Sequence, residues 1–129
     1  MIKATTFYSA DDDADDRLLL TEAIKTIDPG IEIAEAENGL ELLSILQSQT
    51  LLNRCLIIVD MNMPKMNGLE TLANLRSNPR LASLPAIVLS TSGNAEMIQF
   101  AKQLGALHYY IKPTTMDGLL ELSRQLVFG

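Results

Sequence analysis

A single carboxylate, Asp60, follows directly on an apolar run at residues 56–59. A run rich in isoleucine and valine is typical of a strand that is buried on both faces of a parallel sheet. Pro64 and Gly68 mark the segment after it as a loop. A lone buried carboxylate costs free energy unless something pairs with it. The pattern therefore predicts that Asp60 lies at the mouth of a sheet, where a metal ion, a cation or a reaction needs it.

Four other polar side chains stand at the ends of strand-like runs, namely Asp11, Asp12, Ser90 and Lys112. Neighbouring carboxylates repel one another, and a divalent cation is the usual remedy. Mg²⁺ prefers oxygen ligands and often uses only one or two carboxylates. With a cation bound, Asp60 could act as a nucleophile towards a phosphoryl group. The cation and Lys112 would then neutralise charge on the transferred oxygens, and the Ser90 hydroxyl would bond another.

These residues require elements that bring the strand ends together, and the chain alternates strand-like runs with helix-period segments. Regular alternation of this kind predicts a parallel sheet with right-handed crossovers and helices on both faces. The crevice of such a sheet lies outside the carboxyl ends of its strands. The predicted strands are residues 5–10, 31–36, 56–59, 86–89 and 108–111, and the predicted helices are residues 15–27, 40–49, 69–77, 94–104 and 116–127.

Composition narrows the class of protein. The 129 residues, 47% of them hydrophobic, predict one globular domain over residues 1–129. The net charge of −6 without a lysine or arginine cluster argues against nucleic-acid binding. No apolar run approaches the roughly 20 residues of a membrane span, and the N-terminus lacks a secretory signal. The single cysteine, Cys55, cannot form an internal disulfide, so we expect a cytoplasmic protein.

At residues 5–127 the chain resembles the receiver domains of response regulators in two-component signalling, and in particular the stand-alone chemotaxis-type regulators. The family's phosphoacceptor motif, D-x-x-M-P-x-M-x-G, is matched at Asp60, Met63, Pro64, Met66 and Gly68. The other matching positions are the acid pair Asp11 and Asp12, Arg17 downstream of it, the hydroxyl position Ser90, the aromatic position Tyr109, and the pair Lys112 and Pro113. The resemblance implies a flavodoxin-like (βα)5 fold, a doubly wound five-stranded parallel sheet flanked by five helices.

The resemblance also implies a metal site. Mg²⁺, or Mn²⁺ in its place, would be bound directly by Asp12 and Asp60, through water by Asp11, and by the main-chain carbonyl of Asn62. Asp60 would be the phosphoacceptor. No organic cofactor is implied.

Further roles follow from the same family pattern. Ser90 and Lys112 would assist phosphoryl transfer, and Ser90 and Tyr109 would form the switch that changes the surface after phosphorylation. Strand alternation places Tyr109 and Tyr110 on opposite faces, so only one of them can serve in that switch. Pro113 would follow a cis peptide bond that aims the lysine, and Gly68 would be structural.

Implied partners are a sensor histidine kinase or a phosphotransfer protein, and a downstream protein target. A phosphorylation-dependent homodimer is compatible with the family pattern. The chain would catalyse its own phosphorylation and dephosphorylation without turning over an external substrate. One departure concerns Thr91, because the family usually has a small residue there. A larger side chain at this position could crowd the attacking water and slow the loss of the phosphoryl group.

Parts of the sequence are also compatible with three other kinds of site or function. Asp11, Asp13 and Asp15 have the spacing of a Ca²⁺-binding loop, but its sixth place is Asp16 and not the required glycine. A hydrolase that forms an aspartyl-phosphate usually needs a second acid two residues after the nucleophile, where this chain has Asn62. An interaction module that is never phosphorylated would not need the complete set of site residues. The receiver function is preferred.

Overall fold

The computed structural model describes residues 3–129, in which five strands alternate with five helices. The strands are β1 (Thr6–Ala10), β2 (Glu32–Ala36), β3 (Cys55–Val59), β4 (Ala86–Ser90) and β5 (Tyr109–Ile111). The helices are α1 (Ala14–Ile27), α2 (Gly39–Ser48), α3 (Gly68–Ser77), α4 (Ala95–Gln103) and α5 (Met116–Phe128). All ten predicted elements are confirmed, with ends that differ from the prediction by one residue in most cases.

The strands form one parallel sheet with the order β2-β1-β3-β4-β5. Strand order reverses between β1 and β3, which pair in register so that Ala10 lies beside Val59. The chain therefore leaves β1 and β3 at adjacent points but towards helices on different sides. An α/β sheet of this kind places its functional crevice at that reversal.

Both faces of the sheet are covered, and the central strand β3 shows why its sequence is apolar throughout. Ile57 and Val59 pack against α2 and α3 residues such as Leu72, whereas Ile58 packs on the other face with residues of α1 and α5 such as Ile24. The exposure of the three β3 residues is 2% or less. Successive strand residues point to opposite faces, so a strand between two helical layers needs apolar residues at every position.

Each helix begins at a polar residue that accepts hydrogen bonds from the first turn. Asn38, Asn67, Asn94 and Thr115 fill this position in α2 to α5. In α1 the N-cap is Asp13, whose carboxylate accepts from two main-chain N–H groups, and Asp15 lies in the first turn. Side-chain caps of this kind satisfy N–H groups that lack partners within the helix.

Across residues 3–129, no helix combines the length and apolar character that a membrane span requires.

Candidate phosphoacceptor and metal site

The structure brings the predicted site residues together at the carboxyl ends of the strands. Asp11 directly follows β1, Asp60 directly follows β3 and Lys112 directly follows β5, while Ser90 is the last residue of β4. Asp60 and Ser90 are buried, as is Asp11, whereas Asp12 is exposed. The site is therefore a shallow crevice with a buried floor and one open side.

The sheet extends by one hydrogen bond beyond three of these strands, which fixes the main chain under the site. The N–H of Asp11 donates to the carbonyl of Ala36 at 3.0 Å, that of Asp60 to the carbonyl of Ala10 at 2.9 Å, and that of Lys112 to the carbonyl of Ser90 at 2.8 Å. These three charged side chains thus start from rigid positions. A site on sheet-anchored residues holds its geometry better than one on free loops.

Three carboxylates can share one cation. An oxygen from each of Asp11, Asp12 and Asp60 lies within 4.8 Å of the other two. A set of carboxylate oxygens open to water on one side suits a hard divalent ion that keeps part of its hydration shell. The residues present therefore fit the divalent cation that the sequence predicts.

Lys112 neutralises part of this negative charge. Its Nζ lies 2.6 Å from Asp11 Oδ2, 2.8 Å from Asp16 Oδ2 and 3.5 Å from Asp60 Oδ2. Burial by itself lowers the pKa of this ammonium, but the hydrogen bonds to Asp11 and Asp16 and the nearby carboxylate charges raise the pKa well above its ordinary value of 10.5. Lys112 is therefore charged throughout the physiological range of pH.

The carboxyl of Asp11 responds in a different way. Burial raises its pKa above the ordinary value of 3.8, and the charge of Asp60 acts in the same direction. Hydrogen bonds from Lys112 and from the N–H of Asp13 lower the pKa again but do not cancel the burial. Three carboxylates close together and one ammonium leave negative charge that a divalent cation would neutralise.

Two further residues support Asp11 or Lys112. The guanidinium of Arg17 donates to the carbonyl of Asp11 at 2.6 Å and to Glu35 at 3.2 Å, so the arginine at the family position holds the β1–α1 loop. Asp16 was not among the predicted site residues. Its only signal in the sequence was an acid in the first turn of a helix, which is common wherever a helix dipole favours negative charge.

A chain of hydrogen bonds links the loop after β4 to the rest of the site. The N–H of Ser92 donates to Ser90 Oγ at 3.4 Å, and Asn62 Nδ2 donates to Ser92 Oγ at 2.9 Å. The hydroxyl of Tyr109 donates to the carbonyl of Ser92. Tyr109 packs on the same face as Val59, whereas Tyr110 packs on the opposite face of the sheet. The prediction that the two tyrosines point to opposite faces of the sheet is confirmed.

Gly68 allows a close approach of main chains at the base of the site. A Cβ at this position would lie 2.5 Å from the carbonyl oxygen of Asp60 and 2.8 Å from the Cα of Met61. The N–H of Gly68 also donates to the carbonyl of Met61 at 3.0 Å. Any side chain here would push α3 away from the loop that carries Asp60.

The prediction of a cis peptide bond before Pro113 is wrong. All peptide bonds among residues 3–129 are trans, including the bond from Lys112 to Pro113. The trans form is the intrinsically preferred one even before proline. Lys112 contacts its carboxylate partners while the bond that follows it is trans.

Comparison with known proteins identifies the family. A family model described as the response regulator receiver domain matches residues 7–124. A probable chemotaxis protein CheY of Rhizobium etli is 34% identical over 120 residues, covering 92% of this chain and 88% of that protein. The response regulator Rcp1 of Synechocystis is 32% identical over 116 residues, covering 87% of this chain and 78% of that protein.

Solved structures agree. The phosphorylated cyanobacterial phytochrome response regulator RcpA superposes with a TM-score of 0.85 at 27% identity, covering 95% of this chain and 91% of that one. The Mn²⁺-bound form of Rcp1 gives a TM-score of 0.80 at 28% identity, with coverage of 95% and 91%. The chain belongs to the receiver domains of two-component response regulators.

Proposed function

We propose that Asp60 is the residue that accepts the phosphoryl group in this receiver domain. Phosphorylation of an aspartate with a divalent cation is the general function of the family. The observation that carries the proposal is the convergence of the Asp11, Asp12 and Asp60 carboxylates with the Lys112 ammonium at one sheet edge. Asp60 is the member of that cluster that terminates the central strand.

We assign Mg²⁺ as the cation, bound directly by Asp12 and Asp60, through water by Asp11, and by the main-chain carbonyl of Asn62. The oxygen-only donor set supports this assignment over a softer transition metal. Mn²⁺ would be accepted in its place, and the Mn²⁺-bound Rcp1 structure supports this.

In the proposed reaction a carboxylate oxygen of Asp60 attacks the phosphorus of the donor. The bond from phosphorus to the leaving atom breaks, the leaving group keeps that electron pair, and Asp60 becomes an acyl phosphate. A bound divalent cation supplies charge neutralisation at the phosphoryl oxygens. The Lys112 ammonium and the Ser90 hydroxyl, which stand at strand ends, would contact the remaining oxygens.

The switch that we propose runs through the loop after β4. Contact of the Ser90 hydroxyl with the phosphoryl group would pull on Ser92, whose N–H donates to Ser90 Oγ. Because Ser92 also accepts from the Tyr109 hydroxyl, the aromatic ring would move with the loop. A local change of charge would thus alter the surface formed by α4, β5 and α5.

Receiver domains of the CheY type interact with histidine kinases and with downstream targets. We propose that residues 1–129 act as a single receiver domain, take the phosphoryl group from a histidine kinase or a phosphotransfer protein, and signal by protein contacts, including a phosphorylation-dependent homodimer. The chain would modify itself and not turn over an external substrate.

The test is incubation with acetyl phosphate and Mg²⁺ followed by intact-mass analysis. We expect one added phosphoryl group on wild type, none on Asp60→Asn and none in excess EDTA. Asp117→Asn, which removes an exposed acid from the first turn of α5, is the matched control and should behave as wild type. Equal addition on wild type and Asp60→Asn would contradict the proposal. Continuous phosphate release from an unrelated phosphate ester would revive the hydrolase alternative.

A further inference from the structure

The Lys112 ammonium has a carboxylate partner outside the three that can hold a cation. Asp16 Oδ2 lies 2.8 Å from Lys112 Nζ, closer than Asp60 Oδ2 at 3.5 Å. Asp16 does not belong to the carboxylate cluster of Asp11, Asp12 and Asp60. The lysine is therefore shared between a cation site on one side and a helix-borne acid on the other.

The fold fixes Asp16 in this place. The carboxylate of Asp13 caps α1 and accepts from the main-chain N–H groups of Asp15 and Asp16 at 2.9 and 3.2 Å. These bonds order the first turn of α1 and with it the main chain of Asp16. Asp16 is partly buried on this inner side, whereas Asp15, one residue earlier, is exposed.

We propose that Asp16 is a positioning residue that holds the Lys112 ammonium on the α1 side of the site and competes with Asp60 for it. The inference rests on the proposed role of Asp60 as phosphoacceptor. A cation that holds Asp11 through water would compete with Lys112 for that carboxylate, and Asp16 would remain the other short partner of the ammonium. The ammonium must then leave or share Asp16 before it can contact a phosphoryl group on Asp60.

The competition sets how fast the domain is phosphorylated. The Asp16 side chain is 36% exposed, so its ion pair is partly screened by water and its effect is modest. Removing the charge while keeping the shape should release Lys112 towards the phosphoryl group. We expect Asp16→Asn to be phosphorylated about two- to five-fold faster than wild type.

The experiment compares initial rates of phosphorylation by acetyl phosphate and Mg²⁺ for wild type, Asp16→Asn, Asp16→Glu and Asp15→Asn. Asp15→Asn removes the same charge from the same helical turn without touching Lys112, so it controls for weaker repulsion of the anionic donor. We expect it to match wild type. Asp16→Glu keeps an acid within reach of the ammonium and should restore the wild-type rate.

Salt provides a second measurement, because competition between an ammonium and a partly exposed carboxylate is screened by ions. The ratio of the Asp16→Asn rate to the Asp15→Asn rate should fall towards one as ionic strength rises. A structural role of Asp16 in α1 would leave that ratio unchanged. Equal melting temperatures for the two variants would establish that both are folded.

Failure of the inference differs from failure of the proposed function. If wild type gains a phosphoryl group that Asp60→Asn does not, but Asp16→Asn matches Asp15→Asn or is slower, only the role of Asp16 is overturned. If wild type gains none, the function of Asp60 falls and the role of Asp16 falls with it.

Discussion

Charged side chains are buried at one end of the strands and exposed at the other. We call the end that carries Asp11, Asp60 and Lys112 the carboxyl edge, and the end that carries Lys3 and Asp28 the amino edge. At the carboxyl edge, Lys112 and its partners Asp11 and Asp60 have side chains that are only 12%, 10% and 8% exposed. At the amino edge, the ion pair of Lys3 with Asp28 includes a lysine side chain that is 48% exposed. Burying paired charges usually stabilises a protein no better than apolar residues would. Stability alone therefore does not explain the buried charges at the carboxyl edge, which points to chemistry.

The largest expected effect that would test this comparison is loss of the lysine at the carboxyl edge. Lys112→Ala leaves the carboxylates of Asp11 and Asp60 buried without the lysine ammonium that pairs with them. Removing one partner of a buried ion pair is strongly destabilising. We expect the free energy of unfolding in EDTA to fall by about 3 kcal/mol. The loss should not be larger, because the side of the site towards Asp16 is open to water. Urea denaturation measures it. Mg²⁺ should stabilise this variant more than wild type, because it replaces the lost charge.

The pH dependence of the same comparison has a definite sign. The pKa of Lys112 is raised in the folded protein, so its contribution is fully present below the ordinary lysine pKa of 10.5 and is lost only above it. The difference between wild type and Lys112→Ala should therefore stay constant from neutral pH up to that value. A difference that already declines near neutral pH would contradict a charged, carboxylate-bound lysine.

A smaller effect is expected from a methyl group added at each edge. Gly68→Ala places a Cβ 2.5 Å from the main-chain oxygen of Asp60, and overpacking of this kind typically costs about 1–3 kcal/mol. Gly30→Ala at the amino edge meets only the flexible carboxylate of Asp28, at 3.3 Å. Thermal unfolding should show a clear loss for the first variant and little change for the second. Equal losses of stability in the two variants would contradict the close approach of α3 to the main chain of Asp60 as the reason for glycine at position 68.

Thr91→Ala tests the open side of the carboxyl edge. Thr91 is exposed beside the buried Ser90, and a smaller side chain there should admit water to the phosphorylated Asp60. We expect the variant to lose its phosphoryl group several-fold faster than wild type after the donor is removed. Intact-mass analysis over time measures this loss. Thr114→Ala, an exposed threonine in the loop after β5, is the matched control. No acceleration would show that Thr91 does not limit access of water.

The smallest effect belongs to the ion pair at the amino edge. Lys3→Ala should leave the melting temperature unchanged within error, because exposed pairs gain little in water and lose side-chain entropy. Differential scanning calorimetry at low and high salt is the measurement. A loss comparable to that of Lys112→Ala would contradict the contrast between the two edges.

Much of the fold and of the site could be predicted from local pattern. The apolar run before Asp60 indicated a strand because buried strands need apolar residues on both faces, and helix caps such as Asn94 marked the starts of helices. The contacts of individual side chains could not be predicted in this way. Asp16 and Asp15 are adjacent acids in one helical turn, and nothing in their types says which of them meets Lys112.

The sequence by itself determined which chemical groups stand at the strand ends and in which order, because strand periodicity and the spacing of the phosphoacceptor motif are local properties. The tertiary structure alone decided which groups meet. It joined Lys112 to Asp16 across 96 positions and Asn62 to Ser92 across 30. Such pairings depend on how helices and loops pack over the sheet edge, which local pattern does not encode.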